Sequence, residues 1–376
     1  MNHFQILSTL AACLISLACT RQSSEIHVHE GESIQEALDQ LASRDVTAKK
    51  VIVHAGTYRP AKKQMAFIWL NKNHDGITLE ARGKVTLSAA NPNIVSKQHI
   101  GYPAAVNHVI YIGDGVTDHT VVRGFEITGA NGFDTTLREM EIEPNRELVR
   151  QFIYYADGGG IKVFGNSYPR IENVRVYNNM TRICGAGISI EQMGRSEHPV
   201  VIKDSIFEDN RVRLTGAAID LLPGSWAELE NVLVVNNRSN QDIPLNTIRY
   251  PQYRGMAAKD FQRGFENSSS VSVFASSRLK ISRSTFVGNS NGVDRVGFIS
   301  WYRGVGRVSA FNVEIHNSIF WGNEDGGSDA YSIKLPPRSK IVDSFIQIED
   351  PNFNSAFVPM NQKLRDAGYR PAGYLE

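Results

Sequence analysis

Short stretches in which apolar and polar residues alternate recur along the chain, bounded by small residues on one side and asparagine on the other. The segments GGGIKVFGNSYPRIENVRVYNN, GAGISIEQMGRSEHPVVIKDSIFEDN, GAAIDLLPGSWAELENVLVVNN and SSSVSVFASSRLKISRSTFVGN share one order of parts. A small-residue pair leads into a strand of period two, a turn and a second alternating strand follow, and the unit closes at Asn179, Asn210, Asn237 or Asn289. A fifth copy is read from Gly297 through HNSIFWGN to Asn323. The leading aliphatics Ile161, Ile188, Ile219, Val271 and Ile299 are spaced by 27, 31, 52 and 28 residues, so insertions fall in corners. Junctions of Gly, Ser and Asn in place of amphipathic helices exclude a βαβ sheet and predict parallel strands stacked rung on rung.

The fold class is therefore all-β, a single-domain right-handed parallel β-helix over 25–349 whose inward aliphatics make one long core. Six residues before each closing asparagine stands Asn173, Asp204, Asn231, Arg283 or Asn317. These polar ladders are read as structural, since Asn tolerates a left-handed corner and stacked amides bond along the axis. Ser33–Leu41, SIQEALDQL, is amphipathic and predicts a helix capping the open first rung, with Val51–Tyr58 as the first strand. The tail 350–376 carries Pro351, Pro359 and Pro371 and predicts irregular chain over the last rung.

With 40 Lys plus Arg against 39 Asp plus Glu the net charge is +1, too small for a global field, and nucleic acid is excluded as a partner. Residues 6–18, ILSTLAACLISLA, have the length of a secretory h-region, so 1–18 is read as a signal peptide. Cys19 is preferred over Cys13 as a lipidated residue. An exported envelope lipoprotein in the outer membrane or periplasm is expected, or otherwise a secreted protein, touching membrane through a lipid anchor only. Cys184 is then a lone thiol and reads as a small buried filler.

SIQEALDQL followed by VIVHAGTY, the NSIFWGN repeat end and Asp350-Pro351-Asn352-Phe353 together resemble the bacterial right-handed β-helix proteins of the pectin lyase-like superfamily. The resemblance implies the fold over nearly the whole mature chain. It leaves function open, because that superfamily holds polysaccharide lyases, glycoside hydrolases, esterases and non-catalytic surface proteins. The signature motifs of polygalacturonases and pectate lyases are absent, and of pectinesterases only Gly56-Thr57-Tyr58 remains.

Alternation puts Lys162 and Phe164, Ser189 and Glu191, Asp220 and Leu222, Ser272 and Phe274, and Ser300 and Tyr302 on one outer face. Insertions at 131–158 and 238–268 enter before that face and predict walls around an exposed cleft, with Asn91–His108 entering at the same corner. The second insertion interleaves Arg238, Arg249, Arg254, Lys259 and Arg263 with Tyr250, Tyr253 and Phe261, which suits an anionic ring. Asp134–Glu147 is read as the solvated acidic lead-in to a docked helix.

An acidic, uronate-containing polysaccharide is the expected partner. In a lyase, Arg182 and Arg213 would neutralise the carboxylate. Lys162 would be the base, its pKa brought down from about 10.4 by positive neighbours, with Tyr302 or Tyr111 as acid. A hydrolase would pair Glu191 with Asp220. Phe164, Phe274 and Arg254 complete the expected binding surface, and its carboxylates make Ca²⁺ a candidate cofactor. The rival class is a non-catalytic glycan-binding or structural envelope module. His27 and His29 alternate like metal ligands, but on one exposed strand with no third ligand in sequence they are read as unremarkable.

Overall fold

Strand propensity alone would leave each short repeat unstable, and the chain solves this by pairing every strand with its counterpart one turn away. The computed structural model describes residues 23–93, 103–132, 157–239, 241, 243, 269–295, 312–323, 333–335, 339–347 and 349–371. Among them, one parallel sheet runs Gln64–Leu70, Val106–Ile112, Ile161–Phe164, Ile188–Glu191, Ile219–Leu221, Val271–Val273, Val293–Arg295 and Ile333–Lys334. Each neighbour is one coil later, so the backbone bonds of one rung are met by the next.

The other two faces share long bent strands at the start of the coil. In Val121–Thr128 the first half pairs with Arg170–Glu172 and the second with Arg175–Tyr177. The bend sits at Gly124 (φ 85°), and in later rungs Asn173, Asp204, Asn231, Arg283 and Asn317 hold the same left-handed corner at φ 47–55°. This is the polar ladder expected from the sequence. The closing asparagines stack as well: Nδ2 of Asn179, Asn210, Asn237 and Asn289 donates to Oδ1 of the next asparagine at 3.1, 2.9, 3.0 and 2.8 Å, ending on Asn323.

Inward aliphatics from all three faces form one apolar cluster that runs from Val28 to Phe320. The helix Ile34–Ala42 seals its first end, buries Ile34, Ala37, Leu38 and Leu41 there, and is N-capped by Ser33, whose Oγ accepts from the Glu36 amide.

Two details differ from expectation. The strand after Val271–Val273 starts at Val293 and not at Ile299, because three residues separate Asn289 from the next strand of that sheet where eight follow Asn179 and Asn210. The tail covers the last rung only in part, packing Phe353, Leu364 and Ala367 in one cluster with Phe345 while Ile341 and Val342 stay exposed, and then runs back along the flank. There the Gly368, Tyr369 and Arg370 amides donate to Asn317 O, Thr285 Oγ1 and Asn231 Oδ1, and Tyr369 packs on Leu233 and Val235. Its apolar residues gain more by covering side chains of four rungs than by covering one edge.

Candidate functional site

Three glycines set up the outer side of the eight-stranded sheet. Gly158, Gly185 and Gly216, at φ +82°, +66° and +68°, each stand four residues before Lys162, Ser189 and Asp220. A Cβ at these corners would lie 3.0, 2.7 and 2.7 Å from the Cβ of that polar residue. Glycine therefore supplies both the left-handed turn and the room for a polar row to close against it.

The row is continuous across the sheet. Tyr111, Lys162, Ser189, Asp220, Ser272 and Asp294 are cross-strand partners in that order, and Phe164 faces Glu191 two positions on. The side assigned from alternation is right, but the exposed cleft is not. Lys162, Glu191 and Asp220 are each 0% exposed, and Tyr111, Phe164 and Phe274 are buried with them. Period two tells which side of a sheet a residue takes, not whether that side is covered.

Inside this enclosure Lys162 Nζ lies 2.5 Å from Glu191 Oε2 and donates to Ser189 Oγ at 3.2 Å. Asp220 Oδ1 accepts from Ser272 Oγ at 2.5 Å. One residue before the first glycine, Asp157 Oδ1 accepts from the Cys184 amide at 3.0 Å. His108 Nδ1–H donates to Gly158 O at 2.5 Å, which makes Nε2 the bare acceptor of a neutral ring. Three buried atoms, Glu191 Oε1, Asp220 Oδ2 and His108 Nε2, have no hydrogen-bond partner among the described residues. Unmet polar demand of this density marks a place built to receive something polar.

Burial divides the charges. It pushes the Asp157 carboxyl up to about 7, with Lys162 opposing and Glu191 adding. It raises Asp220 well above the usual carboxyl range, with Asp157 adding and Ser272 and Lys162 opposing. His108 is pushed down to about 3 by burial, against the Gly158 bond and with help from Lys162. Burial thus favours the protonated form of Asp157 and Asp220 and the neutral form of His108, beside the Lys162–Glu191 ion pair.

Other expected residues are placed differently. Arg182 and Arg213 do sit on adjacent rungs, since the Leu214 amide donates to Ile183 O at 3.0 Å, but both are 2% exposed and neither is solvated. Burial brings the Arg182 guanidinium down to about 10, and Arg213 donates to the carbonyl of Ile243. Lys162 is paired with the Glu191 carboxylate. Tyr302, Arg254, Cys19 and the signal peptide lie outside the described residues, as do most of both insertions and the Asp134–Glu147 segment. Cys184 is a buried free thiol, as expected.

Asp157 and His108 were missed. The Asp157-Gly158 step repeats as Cys184-Gly185 and Thr215-Gly216, so alignment on the corner glycine would have found Asp157. No equivalent signal marks His108. Among the described residues no three His, Cys, Asp or Glu side chains converge to hold a metal ion.

Residues 71–247 match the family model described as a right-handed β-helix region, which supports a polysaccharide-related or structural β-helix protein. No curated protein and no solved structure matches the chain.

Proposed function

Because this chain carries a right-handed β-helix region over residues 71–247, we propose that it cleaves a polysaccharide, with Asp220 and Glu191 as the acid and base of glycosidic hydrolysis. One observation carries this reading: Asp220, whose carboxyl burial raises well above the usual range and whose Oδ2 is unpartnered, stands one rung from the Glu191 carboxyl that Lys162 holds in an ion pair. A carboxyl that favours its proton beside one held by an ammonium is the arrangement that bond cleavage with a proton donor and a carboxylate partner uses.

Asp220 gives its proton to the glycosidic oxygen as the bond to the anomeric carbon breaks. Glu191 takes a proton from the water that attacks that carbon. One rung and two strand positions separate the pair, about 8 Å between Cα positions, a spacing compatible with either stereochemical outcome at the anomeric carbon. Lys162 is a positioning group for Glu191. Its charge is already matched, so the ring bound at the cleavage point is uncharged, with uronate confined to flanking sugars if present. The apolar run at 6–18 and Cys19 support an exported, lipid-anchored location for this activity.

A second reading has its own observation. Complete burial of Lys162, Glu191 and Asp220 favours a structural module in which the polar row fixes the register of the coil. Incubating the full chain with neutral glycans, alginate, pectate and glycosaminoglycans separates the readings. New reducing ends without ultraviolet absorbance support hydrolysis. Ends with that absorbance replace it by elimination, and an uncut panel leaves the module.

A further inference from the structure

We propose that His27 and His54 form a binding site for a divalent transition ion on the first rung, separate from the polar row. The strand Glu25–Val28 pairs in parallel with Lys50–Tyr58, which brings two histidines 27 residues apart in sequence to one surface. His27 Nδ1 lies 2.9 Å from His54 Nε2, and both rings reach solvent.

That separation selects a geometry. With metal–nitrogen bonds of about 2.0–2.1 Å, two imidazoles at a right angle put their nitrogens about 2.9 Å apart, whereas a tetrahedral angle opens them to about 3.3 Å. In the metal-free chain the two rings are hydrogen-bonded at this distance, so an ion must displace the shared proton; the same spacing then fits two cis ligands of a square-planar or octahedral ion such as Ni²⁺ or Cu²⁺.

Two further features prepare the site. Glu25 Oε2 lies 3.8 Å from His27 Nε2, the nitrogen that keeps its proton when Nδ1 binds metal. A carboxylate there attracts that ring N–H across the ion-pair distance and so favours the ligated ring. His29 stacks on His54 with ring centres 4.2 Å apart and planes 11° from parallel, so it holds the His54 ring without turning a nitrogen to the same point. No three side chains among the described residues converge on a metal, so water completes the shell and the ion exchanges freely.

The untagged full chain, titrated with Ni²⁺ and with Zn²⁺ by calorimetry at pH 7.5, tests this. One Ni²⁺ per chain is expected, bound at least as tightly as Zn²⁺. His27→Ala and His54→Ala should each weaken Ni²⁺ at least tenfold, Glu25→Gln should weaken it severalfold, and His29→Ala should do so less than either ligand change. His119→Ala, at an exposed histidine elsewhere, should change nothing. Circular dichroism confirms that each variant is folded. Absence of Ni²⁺ binding by the native chain, Zn²⁺ bound tenfold tighter than Ni²⁺, or affinity unchanged in His27→Ala and His54→Ala would overturn the assignment.

Discussion

Lys162 and Glu191 sit on neighbouring rungs two strand positions out of register, and their side chains, both fully buried, cross that offset to meet at 2.5 Å. Such a pair stabilises only while both members are present. Glu191→Leu leaves a buried ammonium unmatched and should cost about 3–5 kcal/mol in urea unfolding. The double change Lys162→Met with Glu191→Leu removes both charges and should lose far less. A double variant as unstable as the single one would show that the two side chains are not coupled.

Stability should also fall as pH rises from about 4 to about 7. Asp157 titrates near 7 when folded, against about 3.9 in an unfolded chain. Between those values the folded state holds the extra proton, so raising the pH favours unfolding. Asp220 is shifted the same way. Urea midpoints across this window should decline for the native chain and flatten in Asp157→Asn. A midpoint that rises through the window would contradict the protonated state.

The asparagine ladder gives a third expectation. Asn237 Nδ2 donates to Phe207 O, Val235 O and Asn289 Oδ1, while its Oδ1 accepts from the Asn210 amide and side chain. Asn237→Ala strands several buried groups, each worth about 1–3 kcal/mol when left unpaired. A melting temperature several degrees lower is expected. Exposed Asn166→Ala, off the ladder, should leave it unchanged.

Gly216→Ala tests the corner behind the polar row. At φ +68° any side chain is strained, and the new Cβ would meet Asp220 Cβ at 2.7 Å. Loss of both stability and any glycan cleavage is expected. An alanine variant with native melting and native activity would mean that the glycine does not set the row.

Much of this was readable in the chain because it repeats. The corner residues Asn173 to Asn317 and the stack Asn179 to Asn323 recur at a fixed offset, and their backbone and amide roles follow from residue type. The helix cap was equally plain in the spacing of Ile34, Leu38 and Leu41. What escaped depends on contacts between turns. Val293 was passed over for Ile299 because one corner is shorter than the rest. The row from Lys162 to Asp220 was put on the right side of the sheet, yet nothing in alternation reports what lies over that side. Asp157 was hidden at the end of an insertion, and His54 meets His27 only through strand register.

Protonation of the row is best measured directly. Carboxyl ¹³C NMR on Asp- and Glu-labelled chain at pH 6, assigned with Asp157→Asn, Asp220→Asn and Glu191→Gln, reads each group separately. Asp157 and Asp220 should give protonated-acid shifts while Glu191 gives that of a carboxylate. Asp220 found ionised beside a protonated Glu191 would reverse the acid and the base, and with them the proposed chemistry.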